Sequence, residues 1–147
     1  MADTVNGQDN DEVLMQLKYL HDMYTQQYAN IENSIATYSL TSTSINKNIE
    51  LIEKSNSIEN SEAMIGGDGG AYITAKINKI SSIMTYIGAG YLVEKDIEQA
   101  LAFLRENQKS STEVLNRLVN EKQRLEREIF DLEYKMGALQ YQMSAQQ

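Results

Sequence analysis

The chain contains no proline, no cysteine and no tryptophan in 147 residues. Each absence excludes something. Without proline the usual helix breaker is missing, so long uninterrupted helices are expected. Without cysteine neither a disulfide nor a thiolate metal site can form, which suits a reducing cytosol and a cytoplasmic location. The single histidine, His21, cannot supply a two-histidine metal motif, so neither metal nor cofactor is expected. Two phenylalanines are thin material for a globular core. No apolar run approaches the roughly 20 residues of a membrane span, so no membrane partner is expected. The opening stretch MADTVNGQDNDE is acidic and polar, unlike a secretory signal. Basic residues are also short, 13 against 21 acidic ones, giving a net charge of −8 and a pI near 4.6. Such a surface repels a phosphate backbone, so nucleic acid is not an expected partner. The length fits one domain.

What is present is heptad spacing. Steps of three and four from Leu14 give Leu17, His21, Tyr24, Tyr28, Ile31, Ile35, Tyr38, Ser42, Ile45, Ile49 and Ile52. Only His21 and Ser42 in that series are polar, so the spacing predicts a coiled-coil helix. It ends near the polar stretch KSNSIENSE, residues 54–62. A second series runs Leu101, Leu104, Gln108, Ser111, Leu115, Leu118, Lys122, Leu125, Ile129, Leu132, Met136, Leu139, Met143. Asp96 stands before it as an N-cap candidate. Each helix would hold roughly 45–50 residues and reach about 70 Å.

Two equal helices joined by a compact segment predict an antiparallel hairpin. Setting Ile52 opposite Leu101 puts Ser42 opposite Ser111, Leu17 opposite Met136 and Leu14 opposite Leu139. Sliding by a heptad separates the two serines, and a shared polar layer is a common device for fixing alignment.

Between the helices the period changes to two. AYITAKI (71–77) alternates, SIMTYIG (82–88) is β-branched and aromatic on both faces, and YLVEK (91–95) follows a Gly-Ala-Gly turn. A short strand over 63–65 precedes IGGDGG. These predict two β-hairpins with glycine turns. The glycine cluster, Gly66, Gly67, Gly69 and Gly70 around Asp68, lies between two strand patterns. It leads into no helix and no Lys-Ser or Lys-Thr pair, so it is read as a turn and not a nucleotide loop. Four short strands leave unpaired edges and uncovered apolar faces. Ile73, Ile77, Ile83, Met84, Tyr86, Ile87, Tyr91 and Val93 are the expected oligomerisation residues. Several copies, or a sister subunit, would close the sheets into an oligomeric barrel. The expected fold is mainly α with a small β region: a long antiparallel coiled-coil hairpin with two β-hairpins at its base. Its expected segments are a flexible tail (1–9), a first helix (10–56), the hairpins (57–95) and a second helix (96–147).

The free ends of the helices carry more apolar groups than a two-stranded seam needs. Gln27, Ser34, Thr41 and Asn48 occupy one heptad position, yet Val13 and Leu20 hold it near the start. Met15, Tyr19 and Met23 add to these on α-helix one, and Phe130, Tyr134 and Tyr141 lie off the seam of the other. The antiparallel register gathers both sets at the end far from the strands, together with seam residues Leu14, Leu17, Met136, Leu139 and Met143. An apolar excess that nothing in the chain covers marks an interaction surface. Met is flexible and Tyr tolerates water, which suits a surface meeting many shapes. Gly137 loosens this region by about 1 kcal/mol relative to Ala.

Helix, two hairpins, helix, with AYITAKI, SSIMTYIGAGYLVEKD and the continuation IEQALAFL, resembles the α-type subunits of archaeal prefoldin over nearly the whole chain. Two hairpins favour the α class over the β class. One departure is MIGGDGG, where the family commonly has a Pro-Gly segment. The resemblance implies an ATP-independent chaperone of two α-type and four β-type subunits joined through their strands. It implies that the tips of the coiled coils hold unfolded client proteins and pass them to a group II chaperonin. The alternatives are a structural coiled-coil adaptor with one fixed partner and a filament-forming relative. An enzyme is not expected, and no catalytic residue is assigned. Glu94 and Asp96 beside Lys95 suit helix capping better than catalysis.

Overall fold

The computed structural model describes the backbone of residues 2–145 and the side chains of residues 9–145. Three helices and four strands follow in the order α1 (Ala2–Glu53), α2 (Ser55–Ile58), β1 (Glu62–Gly66), β2 (Tyr72–Lys76), β3 (Ile83–Gly88), β4 (Tyr91–Lys95) and α3 (Ile97–Ala145). A single 3-10 turn, Asp68–Gly70, links β1 to β2.

Two boundaries differ from expectation. Helix α1 begins at Ala2, where the sequence suggested a tail as far as residue 9. At the other end α1 stops at Glu53 and α2 adds one separate turn before the strands. The connector after α2 is pinned to the end of β2. Asn60 N–H donates to the Ile77 carbonyl at 2.6 Å, and Ile77 N–H to the Ser61 carbonyl at 3.0 Å. Asn60 takes φ 63°, a left-handed conformation that Asn tolerates better than most residues.

The chain forms two compact units, residues 1–39 with 113–147, and residues 40–112. In the first, α1 and α3 run antiparallel. His21 Nε2 lies 3.3 Å from Glu133 Oε1, Tyr28 Oη donates to Glu126 at 2.8 Å, and Lys122 Nζ to Glu32 at 2.8 Å. Each of these carboxylates is the immediate neighbour of the expected seam partner, so the pairing read from the heptads holds here. Leu125 is completely buried and Leu132 nearly so. A leucine removed from water contributes about 1.5–3 kcal/mol.

In the second unit Ile49, Ile52 and Ala100 are buried. Asn46 and Gln108 share a hydrogen bond, and Arg105 pairs with Glu53 at 2.7 Å. Ser111 is buried and Ser42 half-buried. Asp96 caps α3 as its chemistry suggested: its Oδ1 accepts the Gln99 N–H at 2.7 Å, and Gln99 Oε1 accepts the Asp96 N–H at 3.4 Å.

The strands make two separate two-stranded antiparallel sheets, β1 with β2 and β3 with β4. In the first, Ile65 faces Ile73 and Met64 faces Thr74. In the second, Tyr86 faces Leu92 and Thr85 faces Val93, with a bulge at Ile87 before Gly88 meets Tyr91. That pairing leaves Ala89-Gly90 as a two-residue turn. Both take positive φ, 49° and 82°, as a type I′ turn requires.

Candidate functional site

Two surfaces carry the residues singled out above. The first lies where α1 begins and α3 ends, an end the antiparallel pairing makes common to both. The seam members Leu14, Leu17, Met136, Leu139 and Met143 are half-buried. So are Leu20 and Met23, which the heptad count had set off the seam. Val13, Met15, Tyr19, Tyr134 and Tyr141 are exposed, Tyr141 to 77% and Tyr19 to 72%. Phe130, 68% exposed, continues the outer face of α3. Met15, Tyr19 and Leu20 line a shallow groove of about 460 Å³ with Glu12 and Gln16.

The candidates therefore divide into two kinds. The half-buried ones hold the helices together. The exposed ones leave 42% or more of their surface to solvent. A hydrophobic side chain exposed singly needs no explanation, but several of them on one helix end form a patch.

Below this patch the seam keeps an apolar centre at Leu125 and is flanked by charge. Lys122 donates to Glu32 and sits 5.1 Å from the centre of the Tyr28 ring. Its hydrogen bond with Lys122 holds the Glu32 carboxyl below the usual carboxylate range, and the same contact pushes the Lys122 ammonium up. The hydrogen bond to Glu126 pushes the Tyr28 phenol up. Arg124 bonds Glu121 at 2.6 Å and approaches Glu128 at 3.7 Å. Of these ion pairs only Lys122–Glu32 crosses between the helices; the Arg124 pairs lie within α3, and exposed pairs of this kind contribute little to stability. His21, at a seam position, has a side chain 25% exposed between Asp22 and Glu133.

The second surface is on the strands. Met84, Tyr86 and Leu92 share one face of the β3–β4 hairpin, and all three are more than half exposed. The opposite face differs: Thr85 is buried, with its hydroxyl donating to the Val93 carbonyl at 3.1 Å, and Ile83 is half-buried. Lys95 lies 5.4 Å from the centre of the Phe103 ring. An apolar recess of about 560 Å³ lies between this hairpin and the helices of its unit, lined by Ile52, Ile58, Ile80 and Phe103 and by strand residues of both faces, Ile83 and Thr85 as well as Met84, Tyr86 and Leu92. The β1–β2 hairpin is open on both faces: Met64, Tyr72 and Ile73 are each about two-thirds exposed or more. Of the expected oligomerisation residues, Ile73, Met84, Tyr86, Ile87, Tyr91 and Val93 are exposed, while Ile77 and Ile83 are half-buried.

Sequence reading missed Met64, Ile65, Tyr72 and Leu92. Alternation within each strand was visible, but the cross-strand register that sets Leu92 against Tyr86 depends on the turn length. Ala89-Gly90, read as a two-residue turn, would have supplied it.

Among the described residues, no group of three acidic or histidine side chains is placed to hold a metal ion. No helix among them is long and apolar enough to cross a membrane.

Comparison with known proteins adds three findings. The family model described as Prefoldin subunit matches residues 24–142. The Prefoldin subunit alpha of Archaeoglobus fulgidus is 28% identical over 91 residues, 56% of this chain and 66% of that protein, so the match spans just under two thirds of the relative. A chain of filamentous PFD from Methanocaldococcus jannaschii, determined by cryo-EM, superposes with a TM-score of 0.54 at 17% identity, covering 81% of this chain and 93% of that one.

Proposed function

The chain belongs to the prefoldin family, and from that premise we propose that it is the α-type subunit of an ATP-independent chaperone. It works in a complex with β-type subunits, two α to four β, joined through the hairpins. It holds unfolded proteins at the ends of its coiled coil and delivers them to a group II chaperonin. The observation that carries this reading is the set Met15, Tyr19, Tyr134 and Tyr141, each at least two-thirds exposed at one helix end. Each such side chain taken out of water contributes on the order of 1.5–3 kcal/mol. One tip binds an unfolded segment weakly, and several tips on one assembly bind it far more strongly.

The exposed and half-buried candidates separate the test from a folding defect. Changing Met15, Tyr19, Tyr134 and Tyr141 together to Ser leaves the seam untouched. The expected outcome, in an aggregation assay on a denatured client, is loss of suppression with helix content and assembly mass unchanged. Undiminished suppression would refute the tip reading.

A second reading is a filament-forming or adaptor protein with one fixed partner. The hairpin β1–β2, apolar and open on both faces, favours it as much as it favours a closed ring. Electron microscopy of the purified assembly separates the two, as closed particles of one size or as fibres of varying length.

A further inference from the structure

The tip carries charge of one sign as well as apolar surface. Residues 1–39 with 113–147 hold twelve Asp and Glu against six Lys and Arg, whereas residues 40–112 hold nine against seven. Around the exposed apolar groups, over residues 9–23 and 130–145, Asp9, Asp11, Glu12, Asp22, Asp131 and Glu133 outnumber Lys18 and Lys135, the neighbours of Tyr19 and Tyr134. Asp9, Asp11 and Glu12 on α1 and Asp131 on α3 are exposed and enter no ion pair among the described residues. Glu12 itself lines the groove with Met15 and Tyr19. Of the six basic residues, Lys122 and Arg124 are committed to Glu32, Glu121 and Glu128, and Lys18, Arg117, Arg127 and Lys135 enter no ion pair among the described residues.

The aromatic chemistry agrees with the charge. The exposed rings at this end are mainly tyrosines, Tyr19, Tyr134 and Tyr141. A tyrosine face attracts a lysine or arginine cation, and a carboxylate nearby strengthens that preference. The same arrangement repels a carboxylate arriving with an otherwise suitable apolar segment.

Resting on the client-holding reading above, we propose that this tip selects among unfolded polypeptides by charge. It takes segments in which Lys and Arg are interspersed with apolar residues and disfavours acidic segments of equal hydropathy. The apolar groups supply most of the attraction, and the acidic surround decides which chain is retained.

The test uses the full chain in the assembly it forms on purification and three unfolded polypeptides of equal length and equal apolar content. One carries Lys at every variable position, one Glu and one Ser. Binding is followed by fluorescence anisotropy. The Lys probe is expected to bind about tenfold or more tightly than the Glu probe, with the gap shrinking as ionic strength rises from about 0.05 to about 0.5 M. In the variant Asp9→Asn, Asp11→Asn, Asp131→Asn, the gap is expected to fall below about threefold, with binding of the Ser probe and helix content unchanged. Equal binding of Lys and Glu probes by the unaltered chain overturns the proposal, as does a gap that survives in the variant. If the Ser probe binds and charge makes no difference, the client-holding reading stands and only this inference falls. If no probe binds, both fall.

Discussion

Ala89 is the residue that most resists its own backbone. Its φ of 49° places an L-residue with a Cβ in the left-handed region, between Gly88 at 111° and Gly90 at 82°. The two-residue turn between β3 and β4 demands that conformation, and Asn is the usual choice for the first position of such a turn. Open space surrounds the glycines on either side, so nothing crowds the turn and the cost is conformational. Ala89→Asn is expected to stabilise the second unit by about 0.5–1 kcal/mol. Thermal unfolding by circular dichroism measures this, and a lowered midpoint would show that the turn is not strained at Ala89.

The polar layer of α1 and α3 shows how one element constrains another. Ser111 is buried, and its hydroxyl has no hydrogen-bond partner among the described residues. Ser42, its expected counterpart, is only half-buried. No serine–serine hydrogen bond closes the expected layer. A buried hydroxyl left unpaired costs about 1–3 kcal/mol. It persists at a seam position where an apolar residue would pack better, which fits a role in alignment. Ser111→Ala is expected to raise stability by about 1 kcal/mol, since it removes the unsatisfied group and improves helix propensity. Chemical denaturation monitored by helix content would register the gain. A loss would mean that the hydroxyl does find a partner in solution. The strands offer a contrast. Thr85, equally buried, donates to the Val93 carbonyl and is satisfied.

At the scale of the whole molecule, both hairpins leave large apolar side chains in solvent among the described residues. Each sheet has two strands and so two free edges, and isolated two-stranded sheets are marginal in water. Tyr86 and Leu92, paired across β3 and β4, are 61% and 57% exposed. Their exposure accounts for why the chain would need other subunits. Tyr86→Glu with Leu92→Glu is expected to reduce the assembly to smaller species while the helices persist. Size-exclusion chromatography with light scattering reads the mass, and helix content is followed in parallel. An assembly of unchanged mass would assign the contact to another face.

Helix, strand and turn types followed from the sequence alone, because each depends on a local period: three-four steps in the two helices, alternation in the strands, glycine at turns. The pairing of α1 with α3 was also legible, since only one alignment sets small polar residues together in the seam. What the tertiary structure decided was exposure. Leu20 and Met23 lie on the same helix as Met15 and Tyr19, yet the first two are half covered and the others open. Thr85 and Tyr86 are neighbours in one strand, yet one is buried and the other bare. A residue's solvent contact is set by groups distant along the chain, and a local period carries no information about them.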